Sequence, residues 1–197
     1  MEVTRIVFVG VGGQGNLLAS RLVGEACISA DVPVVVSEIH GMAQRGGIVE
    51  SAVVMGDATS PIVSDGEADI LIGFEPSETL RALNKCNKNT VVISNMRPLP
   101  PFTVAIGQGV YPDMNKGLDL VKHSVATLIA FDGDALAEKA GNSLSLNMVM
   151  LGALVGCKAT PLKEEWIKKA IENTTKKAFL DSNMQAFDFG FAAARVG

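Results

Sequence analysis

Two short stretches of this chain hold the residues best suited to chemistry. The first, "VGVGGQGN", places Gly10, Gly12, Gly13 and Gly15 around Gln14 and just ahead of Asn16. It matches G-x-G-x-x-G between an apolar segment and a helical pattern. Glycines at those points permit positive φ and close backbone approach, and a helix starting after them offers unpaired N–H groups and the positive end of its dipole. Such a loop suits an anion, although the same turn also serves simply to pack a helix on a strand.

The second stretch, "SEIHGMAQRGG", gathers Glu38, His40, Gln44 and Arg45 with Met42 among Gly41, Gly46 and Gly47. Arg45 offers a planar fork for carboxylate or phosphate, Gln44 donates or accepts, and His40 titrates near neutrality. Glu38 follows Gly15 by twenty-three residues, near the ~20 at which a dinucleotide fold places its ribose-binding acid. The plainer reading pairs Glu38 with Arg45 and leaves the glycines to make turns. Polar groups concentrated beside an anion-seeking loop favour a site.

The elements that must position these residues alternate. "TRIVFV" reads as a strand, "GNLLASRLVGEACISA" as a helix, and "VPVVV" as a strand covered on both faces. Only about ten residues, with no helical pattern, separate that strand from "IVESAVVM", too few for the usual parallel crossover. Residues 48–55 are therefore expected to add an antiparallel strand. "ADILIGF" and "TVVISN" read as buried strands flanking a helix that begins at Pro76.

"MRPLPPF" is expected to be a loop, "TVAIG" a short strand, "MNKGLDLVKH" a helix and "VATLIAF" a strand ending at Asp132, itself a strand-end or cap residue. "DGDALAEKAGN" is a capped helix stopped at Gly141 and Asn142. "LNMVMLGALVG" is a buried core helix in which Asn147 needs partners. Thr160 is placed as N-cap, with Pro161 at the first position, of a helix running to Phe179; Trp166, Ile167, Ala170, Ile171 and Phe179 form its apolar face. The closing "MQAFDFGFAAARVG" must dock on this domain or on a partner. Together these predict one domain over residues 1–197, a three-layer α/β/α Rossmann-like sandwich with a mostly parallel, mixed sheet. The two loops are expected to leave the C-terminal edge of adjoining strands and to face one pocket.

Composition narrows the function. Seventeen basic and twenty-one acidic residues leave a net charge of -4, and without a basic stripe nucleic acid is not the expected partner. The apolar runs are too short to span a membrane. Cys27, Cys86 and Cys157 are scattered, with no spacing for zinc or an iron–sulfur cluster, and read as reduced cytoplasmic thiols. H-E-x-x-H, G-x-S-x-G and a P-loop lysine are all missing, as is the G-D-G of a thiamine-diphosphate site, which "FDGDA" matches only superficially. The chain has few means of complete catalysis alone.

Taken together, "VGVGGQGNLLASRLVGEA", "VVVSEIHGMAQRGGIVESAVVMGD" and "LNMVMLGAL" resemble the gamma-type domain of the 2-oxoacid:ferredoxin oxidoreductases over almost the whole chain. "SEIHGMAQRGG" is nearest the branch of that family acting on indolepyruvate. The resemblance implies a subunit of a complex that oxidatively decarboxylates arylpyruvates to acyl-CoA. Thiamine diphosphate and iron–sulfur clusters would reside on a larger alpha subunit, coenzyme A would accept the acyl group and ferredoxin the electrons. No cofactor would be held by this chain alone. By the same resemblance, Gly10, Gly12, Gly13, Gln14, Gly15 and Asn16 would form a cofactor-facing loop near coenzyme A. Glu38, His40, Gly41, Met42, Gln44, Arg45, Gly46 and Gly47 would form the adjacent substrate loop. The alternatives from the residues themselves are an autonomous NAD-dependent oxidoreductase and a regulatory nucleotide-binding module, both using the Gly10–Gly15 turn.

Overall fold

The computed structural model describes residues 1–40, 47–100, 104 and 106–195. Among these residues six strands form one sheet: β1 (Thr4–Val11), β2 (Val34–His40), β3 (Ile48–Met55), β4 (Ala68–Gly73), β5 (Cys86–Asn95) and β6 (Thr127–Phe131). Their order across the sheet is β2-β3-β1-β4-β5-β6. β1, β4, β5 and β6 run parallel, whereas β3 is antiparallel to both neighbours, β1 and β2. The short connection before residue 48 thus does produce an antiparallel addition, and the sheet is mixed. It also inserts β3 between β1 and β2, so the two glycine-bearing loops do not leave adjoining strands as expected.

Among the described residues, seven α-helices cover the two faces: α1 (Asn16–Ser29), α2 (Pro76–Arg81), α3 (Met114–Ser124), α4 (Gly133–Lys139), α5 (Leu146–Gly156), α6 (Glu164–Thr174) and α7 (Lys177–Ala194). Ile6, Phe8, Val53, Ile70, Ile72 and Ile93 of the sheet pack against α1, α4, α5 and α6 in the larger core. Val7, Val9, Val54, Leu71 and Val92 pack on the opposite face with Ala82 and with Val121 of α3. Alternate strand residues thus serve different layers, as the period-2 pleat requires. α1 lies on one face and α2 on the other, so the chain changes faces between β1 and β4, the switch point at which open α/β sheets bind ligands.

All eleven residues of α5 are buried, because the sheet lies beneath it and α7 above. α5 and α7 touch backbone to backbone. A Cβ on Gly152 would fall onto the Phe187 carbonyl, one on Gly190 onto the Val149 carbonyl, and one on Gly156 onto the Phe191 carbonyl. The C-terminal apolar segment is therefore largely internal packing, with Ala186 and Phe187 fully enclosed.

Several local expectations shift. The helix from Pro76 tightens into a 3-10 turn over Ala82–Lys85, and β5 already begins at Cys86. The expected helix from Thr160 to Phe179 is two helices. α6 starts at Glu164 after Lys163, while Thr160 Oγ1 instead accepts from the Leu162 N–H in a local turn. The chain turns extended at Thr175 and Lys176 before α7, which puts Ile167, Ala170 and Ile171 in the core but leaves Phe179 exposed on the next helix. Asp132 caps α4 through the Ala135 N–H, as expected. Of the expected strand "TVAIG", residues 103 and 105 lie outside the described residues, and Val104 and Gly107 close a turn. No described helix is long and apolar enough to cross a membrane.

Candidate functional site

The glycine turn sits where β1 gives way to α1, at the switch point. Gly13 and Gly15 have φ of 108° and 82°, conformations that side chains with a Cβ rarely adopt. Gly10 is different: it lies in the strand, and a Cβ there would press to 2.9 Å from Phe74 Cβ. Gln14 spans the turn. Its Oε1 accepts from the Val11 N–H at 2.8 Å and its Nε2 donates to the Phe74 carbonyl at 3.0 Å, tying the ends of β1 and β4 together. Asn16 is likewise committed, donating to the Val49 carbonyl at 3.0 Å and accepting from the Leu17 N–H. These two amides hold the loop's shape.

The backbone N–H groups remain. Gly12 donates to the Gly47 carbonyl at 2.9 Å and Gln14 to the Val11 carbonyl at 3.2 Å. The N–H groups of Gly13, Gly15 and Asn16 have no acceptor among the described residues, and they sit at the positive end of the fourteen-residue α1. Successive unpaired amides at a helix start form an anion-seeking concavity.

Gly13 and Gly15 line a cavity of about 380 Å³, with Gln14 on the same side and Arg97, Leu99, Asp134 and Leu144 on the other. The second wall was not legible as a site in the sequence. Its only local sign is the proline-rich loop after β5, which leaves the same C-terminal edge of the sheet as the glycine turn. Asn95 organises it: Nδ2 donates to the Phe74 carbonyl and to Asp134, and Oδ1 accepts from the Gly133 N–H at 2.9 Å. Arg97 pairs with Glu138 and, at 3.3 Å, with Asp132. The bond to Glu138 above all, with Asp132 adding to it, raises the pKa of the guanidinium. Because Arg97 is already balanced by two acids, the turn's amides are the donors with capacity to spare.

Behind Leu99 stands Glu75, fully buried at the N-cap of α2. One carboxylate oxygen accepts from Ser77 and from the Glu78 N–H at 3.0 Å, the other from Tyr111 and from the Leu99 N–H at 3.2 Å. The carboxylate therefore pins both ends of the 99–111 segment to the end of β4. Burial, reinforced by that bond to an anion, pushes the Tyr111 phenol well up.

Of the second predicted loop, residues 41–46, with Gly41, Met42, Gln44, Arg45 and Gly46, lie outside the described residues, and of His40 only the backbone, in β2, is described. The loop's far end does reach the glycine turn, through the Gly47 carbonyl on Gly12. Glu38 does not. It sits two strands away from β1, across from Ser51 of β3, and its carboxylate faces Arg21 of α1 at 3.4 Å. The acid expected by the dinucleotide reading is thus paired with a helix side chain instead of standing beside the turn.

The family model for pyruvate ferredoxin/flavodoxin oxidoreductases matches residues 5–193. The chain belongs to that family. It is 40% identical over 189 residues to the indolepyruvate oxidoreductase subunit IorB of Methanothermobacter thermautotrophicus, covering 96% of each chain. It is also 40% identical over 197 residues to the subunit of the same name from Thermococcus kodakarensis, covering 99% of this chain and 98% of the other. Among solved structures, the gamma subunit of a keto/oxoacid ferredoxin oxidoreductase from Geobacter sulfurreducens superposes with a TM-score of 0.72 at 23% identity, covering 98% and 99% of the two chains. The 2-oxoglutarate:ferredoxin oxidoreductase of Magnetococcus marinus gives 0.78 at 20% identity, with all of this chain matching 32% of that one. The fold of this chain is thus matched by a separate chain in one structure and by part of a longer chain in the other.

Proposed function

We propose that this chain is the small subunit of an indolepyruvate:ferredoxin oxidoreductase, forming with a larger alpha subunit a complex that oxidatively decarboxylates arylpyruvates to acyl-CoA. The glycine turn forms the coenzyme A side of the shared active site. The observation that carries this reading is the 380 Å³ cavity at the switch point, with the amides of Gly13 and Gly15, unpaired among the described residues, on one wall. Those donors suit the phosphates of coenzyme A, whose thiol supplies the acceptor for the acyl group when bound. Gln14 and Asn95 keep the two walls in register by sharing the Phe74 carbonyl. Glu75 fixes Leu99 against the cavity.

The chain's own cysteines do not suit an iron–sulfur cluster. Cys27, Cys86 and Cys157 lie far apart along the chain, without the short cysteine spacings of a cluster motif. By the family resemblance, thiamine diphosphate and the clusters would reside on the alpha subunit, and ferredoxin would accept the electrons of the complex. The proposed substrate loop, for which Arg45 would supply the cation, ends at Gly47, whose carbonyl accepts from the Gly12 N–H of the turn.

Co-expression with the adjacent large-subunit gene, followed by an indolepyruvate- and coenzyme A-dependent dye-reduction assay, tests this. A stable complex with that activity is expected. Absence of a complex, or strong thermal stabilisation of the free chain by NAD, would overturn it.

A further inference from the structure

Phe74 and Glu75, consecutive residues just past β4, reach both walls of the glycine-turn cavity. The Phe74 carbonyl takes the side-chain amides of Gln14 and Asn95 at 3.0 and 2.9 Å. Glu75 is fully buried, and no cation pairs with it among the described residues; Arg81, at the far end of α2, is engaged by Glu50 and Glu78. Its carboxylate is met by neutral donors alone. A carboxylate enclosed in this way depends on every donor it has, so each one constrains where its oxygens sit.

The two oxygens face different parts of the molecule. Oε2 serves its own helix, accepting from Ser77 Oγ and from the Glu78 N–H at 3.0 Å. Oε1 accepts from the Leu99 N–H at 3.2 Å and from the Tyr111 hydroxyl, donors twenty-four and thirty-six residues further along. Leu99 lines the cavity opposite Gly13 and Gly15, whereas Tyr111 is not among the residues that line it. A hydroxyl donating to a carboxylate makes the stronger of two such bonds, so the Leu99 N–H follows the oxygen that Tyr111 holds. Burial, reinforced by the bond to Glu75, pushes the phenol up and keeps its proton in place to donate. Tyr111 itself stands on a fixed element, because Asp113, two residues on, caps α3, and Val121 of α3 is buried in the second core.

We propose that Tyr111 is a positioning residue for coenzyme A. Through Oε1 of Glu75 it holds the backbone of Leu99, and so sets the distance between that wall of the cavity and the glycine-turn amides, without touching the ligand. This rests on the reading of the cavity as the coenzyme A side of the active site.

The test compares variants of this chain in the complex assembled by co-expression. Tyr111→Phe is expected to raise the KM for coenzyme A at least fivefold, with kcat and the KM for indolepyruvate changed less than twofold. Ser77→Ala strips the opposite oxygen of the same carboxylate and is expected to leave the KM for coenzyme A within twofold, even where it lowers Tm as much. Leu99→Ala should raise that KM too, and adding Tyr111→Phe to it should raise it no further. In the free chain, hydrogen exchange at the Leu99 amide should be at least tenfold faster in Tyr111→Phe and unchanged in Ser77→Ala. An unmoved KM in Tyr111→Phe, an equal rise in Ser77→Ala, a rise shared by indolepyruvate, or an unchanged Leu99 amide overturns the proposal and leaves the functional reading intact. A wild-type complex whose turnover does not depend on coenzyme A overturns that reading, and the proposal with it.

Discussion

Glycine does two different jobs in this molecule. Between α5 and α7 it lets two backbones meet: Gly152, Gly156 and Gly190 leave no room for even one carbon, because a carbonyl of the facing helix already fills the space. In the turn after β1 it supplies conformation: nothing lies within 4 Å of a Cβ added to Gly13, yet its φ of 108° suits glycine. Gly15 combines both constraints, with φ of 82° and Asn147 against it. The helix pair is over-determined by packing, while the turn is shaped by dihedral angles and two amide side chains.

Substitutions sharpen this contrast. The largest effect is expected at Gly190→Ala, where the added methyl must push α7 off α5. A loss of at least about 3 kcal/mol, a fall in Tm of about 6–12 °C, is expected from thermal unfolding. An unchanged Tm would show that the two helices are not in backbone contact. Gly15→Ala meets both strain and Asn147 and should cost about 2–3 kcal/mol. It should also raise the KM for coenzyme A in the assembled complex.

Glu75→Gln keeps the volume but aims an N–H₂ at groups that are themselves donors. About 2 kcal/mol is expected in chemical denaturation, with Leu99 freed from the cavity wall. Gly13→Ala should be the mildest, about 1 kcal/mol from backbone strain alone, while still weakening coenzyme A. If Gly13→Ala instead proved as damaging to the fold as Gly190→Ala, the turn would be a packing element and the comparison would collapse.

Much of the scaffold was legible because its signals are local. Strand, glycine turn and helix at the start follow from an apolar run meeting glycines and a helical spacing. The antiparallel β3 follows from a connection too short for a crossover. α5 follows from eleven residues without a polar face. The division into α6 and α7 was not legible, since "ENTTKKAF" carries no proline or glycine and only the docking of α7 on α5 makes the chain turn at Thr175 and Lys176.

The candidate site was half legible for a similar reason. Gly13 to Gly15 announce themselves by type and spacing. Arg97, Leu99 and Asp134 reach the same cavity only because β4, β5 and β6 line up in parallel beside β1. Glu75 carries no motif at all; its importance lies in donors at Leu99 and Tyr111, twenty-four and thirty-six residues away.

What the sequence determined by itself is what neighbours along the chain decide: which segments extend or coil, where φ must turn positive, and which helix must be enclosed. Tertiary structure alone decided the pairing order that inserts β3 between β1 and β2, removing Glu38 from the turn and handing it to Arg21. It also decided the meeting of Gly190 with Val149, and the second wall of the cavity. Each of these is a contact between residues distant along the chain, chosen because the whole sheet and its helices bury the most apolar surface that way. No local spacing encodes that choice.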